Sequence, residues 1–201
     1  MDLAFLASNN GSSLRAIVAA IRAGELAARP RVVVSNRRAA PALEFARAEG
    51  IEALFIPTMP DPDIADGRLA QALQASGADL VILSGYLRKL GPRTLAAFQG
   101  RILNIHPALL PDFGGQGMYG RRVHEAVLAS GAAASGATVH LVDEAYDHGP
   151  VVAQCRLPVR PGETAESLEA RVMAAEPKLF VETLQRIADG SLTLGAVAED
   201  R

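Results

Sequence analysis

Short runs of aliphatic and β-branched residues alternate with longer Ala-rich stretches through the first half of the chain. LAFLAS (3–8), RVVVSN (31–36), EALFIP (52–57) and ADLVILSG (78–85) are the apolar runs. Continuous runs of that length suit strands buried on both faces, as in a parallel sheet. Between them, SSLRAIVAAIRAG, APALEFARAEG and DIADGRLAQALQASG read as helices ending on Gly24, Gly50 and Gly77, glycine being the residue that most readily closes a helix. Repeated strand–helix alternation predicts a parallel sheet with helical crossovers.

The second half is less regular. A fifth strand, RILNIHP (101–107), follows a short turn or helix around GPRTLAAF, and a Gly-rich loop, DFGGQGMYG, comes next. The helix RRVHEAVLASG leads to two strands, GATVHLVD and PVVAQCRLPV, joined through EAYDHG. The long pattern ETAESLEARVMAAEPKLFVETLQRIADG reads as helix, interrupted at Pro177, with an apolar stripe for the sheet. No linker or repeat appears, so residues 1–201 read as one α/β domain: a Rossmann-like, twisted, mostly parallel sheet with helices on both faces.

Strand five carries the first chemical clue. Successive strand side chains point to opposite faces, so Asn104 and His106 share one face. Pro107 has no N–H for a ladder and ends the strand just after them. An amide and an imidazole thus stand together at a strand's carboxyl end, where open α/β sheets hold ligands. Alone, such a pair is an ordinary hydrogen-bonded core feature; three other stretches change that. ASNNGSSL (7–14) opens the first helix, where backbone N–H groups and the helix dipole favour an anion. It has neither a G-x-G-x-x-G pattern nor a Walker lysine, so a phosphate monoester is expected rather than a dinucleotide. GYLRKLGP (85–92) leaves the fourth strand at the same sheet end, with Arg88 and Lys89 available to an anionic group. HLVDEAYDHGP (140–150) gathers His140, Asp143, Glu144, Asp147 and His148 in a spacing that fits no tetrahedral zinc pattern. It can, however, place one carboxylate beside His106. A carboxylate orients an imidazole and stabilises its protonated form. Asn104, His106 and that carboxylate then make an oxyanion donor, a general acid and its orienter. No Ser or Cys stands among them, so the attacking group belongs to a substrate.

Composition narrows the partners. The chain has 201 residues, 49% hydrophobic and 21% charged, without Trp, as in a globular domain whose core is mostly Ala, Leu, Val and Ile. A net charge of −2 gives no general attraction for nucleic acid. No run approaches a membrane-spanning length, and MDLAFLASNN runs out of apolar residues too early for a signal-peptide core. The single Cys155, in VVAQCRLPV, reads as a buried structural thiol and suits a reducing cytoplasm.

In this order, SNNGSSLRAI, VVVSN, DLVILSGYLRKLGP, RILNIHPALLP and GATVHLVDEAYDHGPVVAQ resemble the phosphoribosylglycinamide formyltransferase family of the formyltransferase superfamily. The resemblance implies the formyltransferase fold and transfer of a formyl group from 10-formyltetrahydrofolate, as co-substrate, to the glycinamide amine of a ribonucleotide in purine synthesis, with no metal. It implies Asn104, His106 and Asp147 as catalytic residues and Asn10, Gly11, Ser12 and Ser13 as the phosphate loop, with Glu176 on the glycinamide. Leu87, Arg88, Lys89 and Leu90, facing Val142, Asp143 and Glu144, would hold the folate together with Asn104 and Asp147. Residues 1–100 would form the phosphate-substrate half, 101–190 the catalytic and folate half, and 191–201 a loose tail. Small-molecule substrates, a cytoplasmic location and a monomer or homodimer are expected.

This chain also departs from the family pattern. Many members have Gly where Asn9 stands and Asn where Ser13 stands; Asn tolerates left-handed backbone, which would preserve the loop. DFGGQGMYGRRVHEAV replaces a YPGLHTH-like stretch, and His124 within it reads as helix surface. PTMPDPDIADGR replaces another familiar pattern and offers Arg68 as an anion contact.

Rival readings require features this sequence lacks. Methionyl-tRNA formyltransferase needs a further C-terminal domain and a basic surface. Formyltetrahydrofolate hydrolase, which uses water in place of an amine, carries an extra N-terminal domain, and amino-sugar nucleotide formyltransferases are usually longer. A silent phosphate- or folate-binding module has no use for a general acid beside an oxyanion donor.

Overall fold

The first strand, β1 (Asp2–Leu6), is followed by α1 (Ser12–Arg22), β2 (Arg29–Ser35), α2 (Pro41–Ala48), β3 (Glu52–Phe55), α3 (Pro62–Ala75) and β4 (Leu80–Leu83). The chain continues through α4 (Pro92–Ala97), β5 (Ile102–His106), α5 (Arg121–Ala129), β6 (Ala134–Leu141), β7 (Val151–Pro158) and α6 (Ala165–Ala188). This computed structural model describes residues 1–194. The seven strands form one sheet in the order β3-β2-β1-β4-β5-β6-β7. Pairings from β3 to β5 are parallel; β6 and β7 add an antiparallel edge.

Alternation along the strands builds two cores. Leu3, Phe5, Val33, Ile82 and Leu103 point to one face, where Leu14, Leu43, Val127, Val172 and Phe180 bring in α1, α2, α5 and α6. Ala4, Leu6, Val34, Val81 and Ile102 point to the other, covered by Leu69, Leu73 and Phe98 from α3 and α4. Each large apolar side chain so buried contributes roughly 1.5–3 kcal/mol, which is why the strands read as continuous apolar runs.

Strand order reverses at β1, which has β2 on one side and β4 on the other. A crevice at that point, outside the strands' carboxyl ends, is where open α/β sheets bind ligands. Two buried serines tie its loops together. Ser8 Oγ donates to Asn36 Oδ1 at 2.6 Å and accepts from the Leu87 N–H at 2.8 Å, while Ser84 Oγ accepts from the Leu14 N–H at 2.9 Å.

Three sequence expectations are corrected here. α6 continues through Pro177 without a break; the carbonyl a proline leaves unbonded belongs to residue 173, an exposed position where water can satisfy it. His124 is 1% exposed, because it lies beside Val123 and Val127 on the buried side of α5. Cys155 is half-buried, since β7 is the edge strand and alternates between the core and solvent. Of the tail, residues 195–201 lie outside the described residues, and the Leu192 N–H donates to the Arg186 carbonyl at 2.9 Å. No helix among the described residues is long and apolar enough to cross a membrane.

Candidate active site

The β1–α1 loop starts a helix without a side-chain cap. Gly11 takes the N-cap position at φ 68° and offers no side-chain cap, while Ser84 Oγ takes the Leu14 N–H. The N–H groups of Ser12 and Ser13 have no partner among the described residues, so two donors at the positive end of the α1 dipole face outward. The left-handed residue of this loop is Gly11, and Asn9 keeps a negative φ. Asn9 therefore does not need the left-handed tolerance expected of it.

At the same sheet edge, β5 presents Asn104 and His106. Antiparallel register sets Asn104 opposite His140 and His106 opposite Thr138. His106, 3% exposed, has Nδ1 3.3 Å from Asp147 Oδ2 and donates from Nε2 to the Phe113 carbonyl at 2.8 Å. Both ring nitrogens face oxygen acceptors, and only the doubly protonated ring satisfies both. The Asn104 amide donates from Nδ2 to His140 Nε2 at 3.1 Å, and His140 donates from Nδ1 to the Leu141 carbonyl at 2.8 Å. His140 Nε2 also lies 3.5 Å from Asp147 Oδ1.

Asp147 is the hub. It sits at φ 57° and accepts the Gly115 N–H at 3.1 Å. Burial pushes its carboxyl up, but the His106 hydrogen bond, the neighbouring His140 ring, the His106 charge and the Gly115 amide together hold it well below the usual carboxylate range. The site therefore keeps a fixed anion beside His106.

The structure brings Asn104, His106 and Asp147 into one cluster. Sequence reasoning missed three of its partners: His140, the Phe113 carbonyl and the Gly115 amide. The β5–β6 register carries the His140 signal, and apolar runs alone do not reveal register. Elsewhere in the acidic loop, His148 Nδ1 pairs with Asp143 Oδ2 at 3.2 Å on the surface, and Glu144 is exposed. Among the described residues no group of three or more His, Cys, Asp or Glu is arranged to hold a metal ion.

Two cavities meet at the cluster. One of about 630 Å³ is bordered by Leu87, Asn104, His106 and Asp147 together with Gly115 and Tyr119 of the Gly-rich loop. A smaller one of about 90 Å³ runs between Lys89 and Leu90 on one side and Val142, Asp143 and Glu144 on the other. Arg88 and Tyr86 border both. Tyr86, absent from the sequence reading, has its phenol pushed up to about 12 by burial and stays a neutral donor. The first turn of α4, where the loop from Tyr86 to Gly91 ends, is held by Asp66, whose carboxylate accepts from the N–H groups of Arg93 at 2.8 Å and Thr94 at 3.1 Å. Arg68 is exposed on α3 and borders neither cavity.

From α6, Glu176 reaches the His106 side of the site. Burial pushes its carboxyl up to about 7, and the His106 charge opposes that shift. A carboxyl whose folded pKa exceeds its ordinary 4.5 favours folding below that value and loses this contribution as pH rises through about 7. Glu176→Gln should therefore melt with the parent near pH 4 and above it at pH 8, the full difference being on the order of 3 kcal/mol. Coincident melting curves at pH 8 would contradict this.

Known proteins resemble this chain over most of its length. The formyl transferase family model matches residues 1–184. The chloroplastic phosphoribosylglycinamide formyltransferase of Vigna unguiculata is 40% identical over 93% of this chain, which spans 61% of that protein's length. The phosphoribosylglycinamide formyltransferase of Escherichia coli is 33% identical, with 96% of this chain and 90% of that protein aligned. The crystal structure of glycinamide ribonucleotide transformylase 1 from Symbiobacterium toebii superposes with a TM-score of 0.88 at 38% identity, covering 98% of this chain and 91% of that one. Sequence and fold agree, and the chain belongs to the formyl transferase family, in its phosphoribosylglycinamide formyltransferase branch.

Proposed function

We propose that the protein transfers a formyl group from 10-formyltetrahydrofolate to the amine of glycinamide ribonucleotide in purine biosynthesis. The observation that carries this reading is the buried Asn104–His106–Asp147 cluster on the same sheet edge as the uncapped start of α1. An acyl-transfer cluster and an anion site together call for a substrate bearing both an amine and a phosphate.

Attack of a neutral amine on the formyl carbon drives negative charge onto the formyl oxygen. The Asn104 amide and the His106 imidazolium are the donors for that charge, each such donor being worth about 10²- to 10³-fold in rate. The oxygen replaces the Phe113 carbonyl as the partner of His106 Nε2. Asp147 orients His106 and orders the water that moves a proton from the attacking nitrogen to the leaving one. Glu176 meets the glycinamide end, Asn10 to Ser13 hold the phosphate, and Leu87 to Leu90 with Val142 to Glu144 enclose the folate ring system. The protein works on small molecules alone, as a monomer or homodimer, in a reducing cytoplasmic compartment.

The test is a folate-absorbance assay with purified protein, offering glycinamide ribonucleotide, an amino-sugar nucleotide, or no acceptor. Turnover with the ribonucleotide alone is the expected result. Equal turnover without acceptor would replace transfer by hydrolysis.

A further inference from the structure

Arg15 of α1 and Arg37 and Arg38, just after β2, have no carboxylate within ion-pair distance among the described residues. Arg22, Arg29, Arg121 and Arg171 are paired; Arg15, Arg37 and Arg38 are not. Arg38 lies 4.6 Å from the Phe55 ring centroid, and Arg15, 4.4 Å from that of Phe45, spends its Nε on the Asn10 backbone carbonyl at 3.1 Å. Arg37 is placed differently. Its backbone N–H donates to Ser35 Oγ at 3.1 Å, at the end of β2. Its exposed guanidinium crosses to the β1–α1 loop and donates from Nη1 to Asn9 Oδ1. A guanidinium has five N–H donors, and Asn9 takes one.

A second observation points to a ligand here. Ser13, four positions beyond Asn9, is 2% exposed, yet its hydroxyl makes no hydrogen bond among the described residues. The Ser12 and Ser13 amides are also without partners there. None of these three donors is tied up within the described residues, so all are available to a bound anion. These donors are neutral and fix position; a phosphate dianion also calls for a full positive charge, and the loop itself holds no Lys or Arg.

We propose that Arg37 is a specificity-determining residue for the amine substrate: its guanidinium exchanges the Asn9 amide for the substrate's phosphate. The proposal rests on the reading of this loop as the phosphate site. Asn9 then acts as a holding partner that keeps the guanidinium over the loop until phosphate arrives.

Calorimetric titration with glycinamide ribonucleotide and with ribose 5-phosphate, without folate, tests this at several salt concentrations. Arg37→Ala should weaken both ligands by about 10- to 100-fold and flatten the salt dependence of binding. Arg37→Lys should recover part of the affinity, and Asn9→Ala should retain most of it. An Arg37→Ala affinity within twofold of the parent would overturn the proposal, and so would an Asn9→Ala loss equal to that of Arg37→Ala, because Arg37 would then act only by pinning Asn9. A parent that binds neither phosphate ester overturns it as well. A parent that binds both but shows no formyl transfer leaves the Arg37 assignment standing and removes the reading of the reaction.

Discussion

His106→Ala is expected to lower kcat by about 10²- to 10³-fold while changing the affinity for the ribonucleotide by less than about threefold. Asp147→Asn should give a loss at least as large. The asymmetry between kcat and affinity follows from where the groups point. His106 meets Asp147 and the Phe113 carbonyl inside the protein, so the ground-state substrate gains little from it. The charge that develops on the formyl oxygen gains a preorganised donor. Asp147→Asn leaves the size of the side chain nearly unchanged but removes an anion that the site holds ionised well below the usual carboxylate range. Steady-state kinetics with calorimetric binding separates the two parameters. A variant that loses affinity in proportion to kcat would show that these residues hold substrate rather than its transition state.

Gly149→Ala should cost about 3 kcal/mol or somewhat less and should lower kcat as well. The expected fall in Tm is about 6–12 °C for a chain of this size. Gly149 is buried two residues after Asp147, and a methyl group there would sit inside the contact radius of the Leu141 carbonyl, against backbone that has no rotamer to give way. Leu141 is also anchored, since its N–H donates to the Pro150 carbonyl at 2.9 Å. The strain must therefore move residues 142–150, which carry Asp147. Calorimetric melting and kcat measured on one sample check both effects. A variant with full stability and full activity would mean that this loop is not held where Asp147 needs it.

Much of this site is legible in the sequence for identifiable reasons. Period-two alternation is enough to place Asn104 and His106 on one face, and Pro107 is enough to put them at a strand end. Gly24, Gly50 and Gly77, all at positive φ, mark helix ends as expected. What was not legible depends on distant chain. His140 joins the cluster only through the antiparallel register of β5 and β6. The Phe113 carbonyl and the Gly115 amide join through backbone conformations in a Gly-rich loop that has no periodicity to read, Phe113 itself lying at φ 56°. His124 was misread for a different reason. Its polarity suggests surface, but Val123 and Val127 define a buried stripe that includes it, and its Nδ1 is left buried without a partner. At Pro177 a local rule gave way to packing, because Val172, Leu179, Phe180 and Leu184 on either side of it are all buried and hold α6 straight across the gap.

The central claim is that the Asn104–His106–Asp147 cluster delivers a formyl group to a phosphate-bearing amine. The most direct measurement follows the formyl carbon itself, by nuclear magnetic resonance with carbon-13-labelled formyl folate and glycinamide ribonucleotide. The account predicts that the label appears as an amide on the ribonucleotide, at a rate that falls by about 10²-fold or more in His106→Ala. Label accumulating as free formate at one rate with or without the ribonucleotide would contradict it.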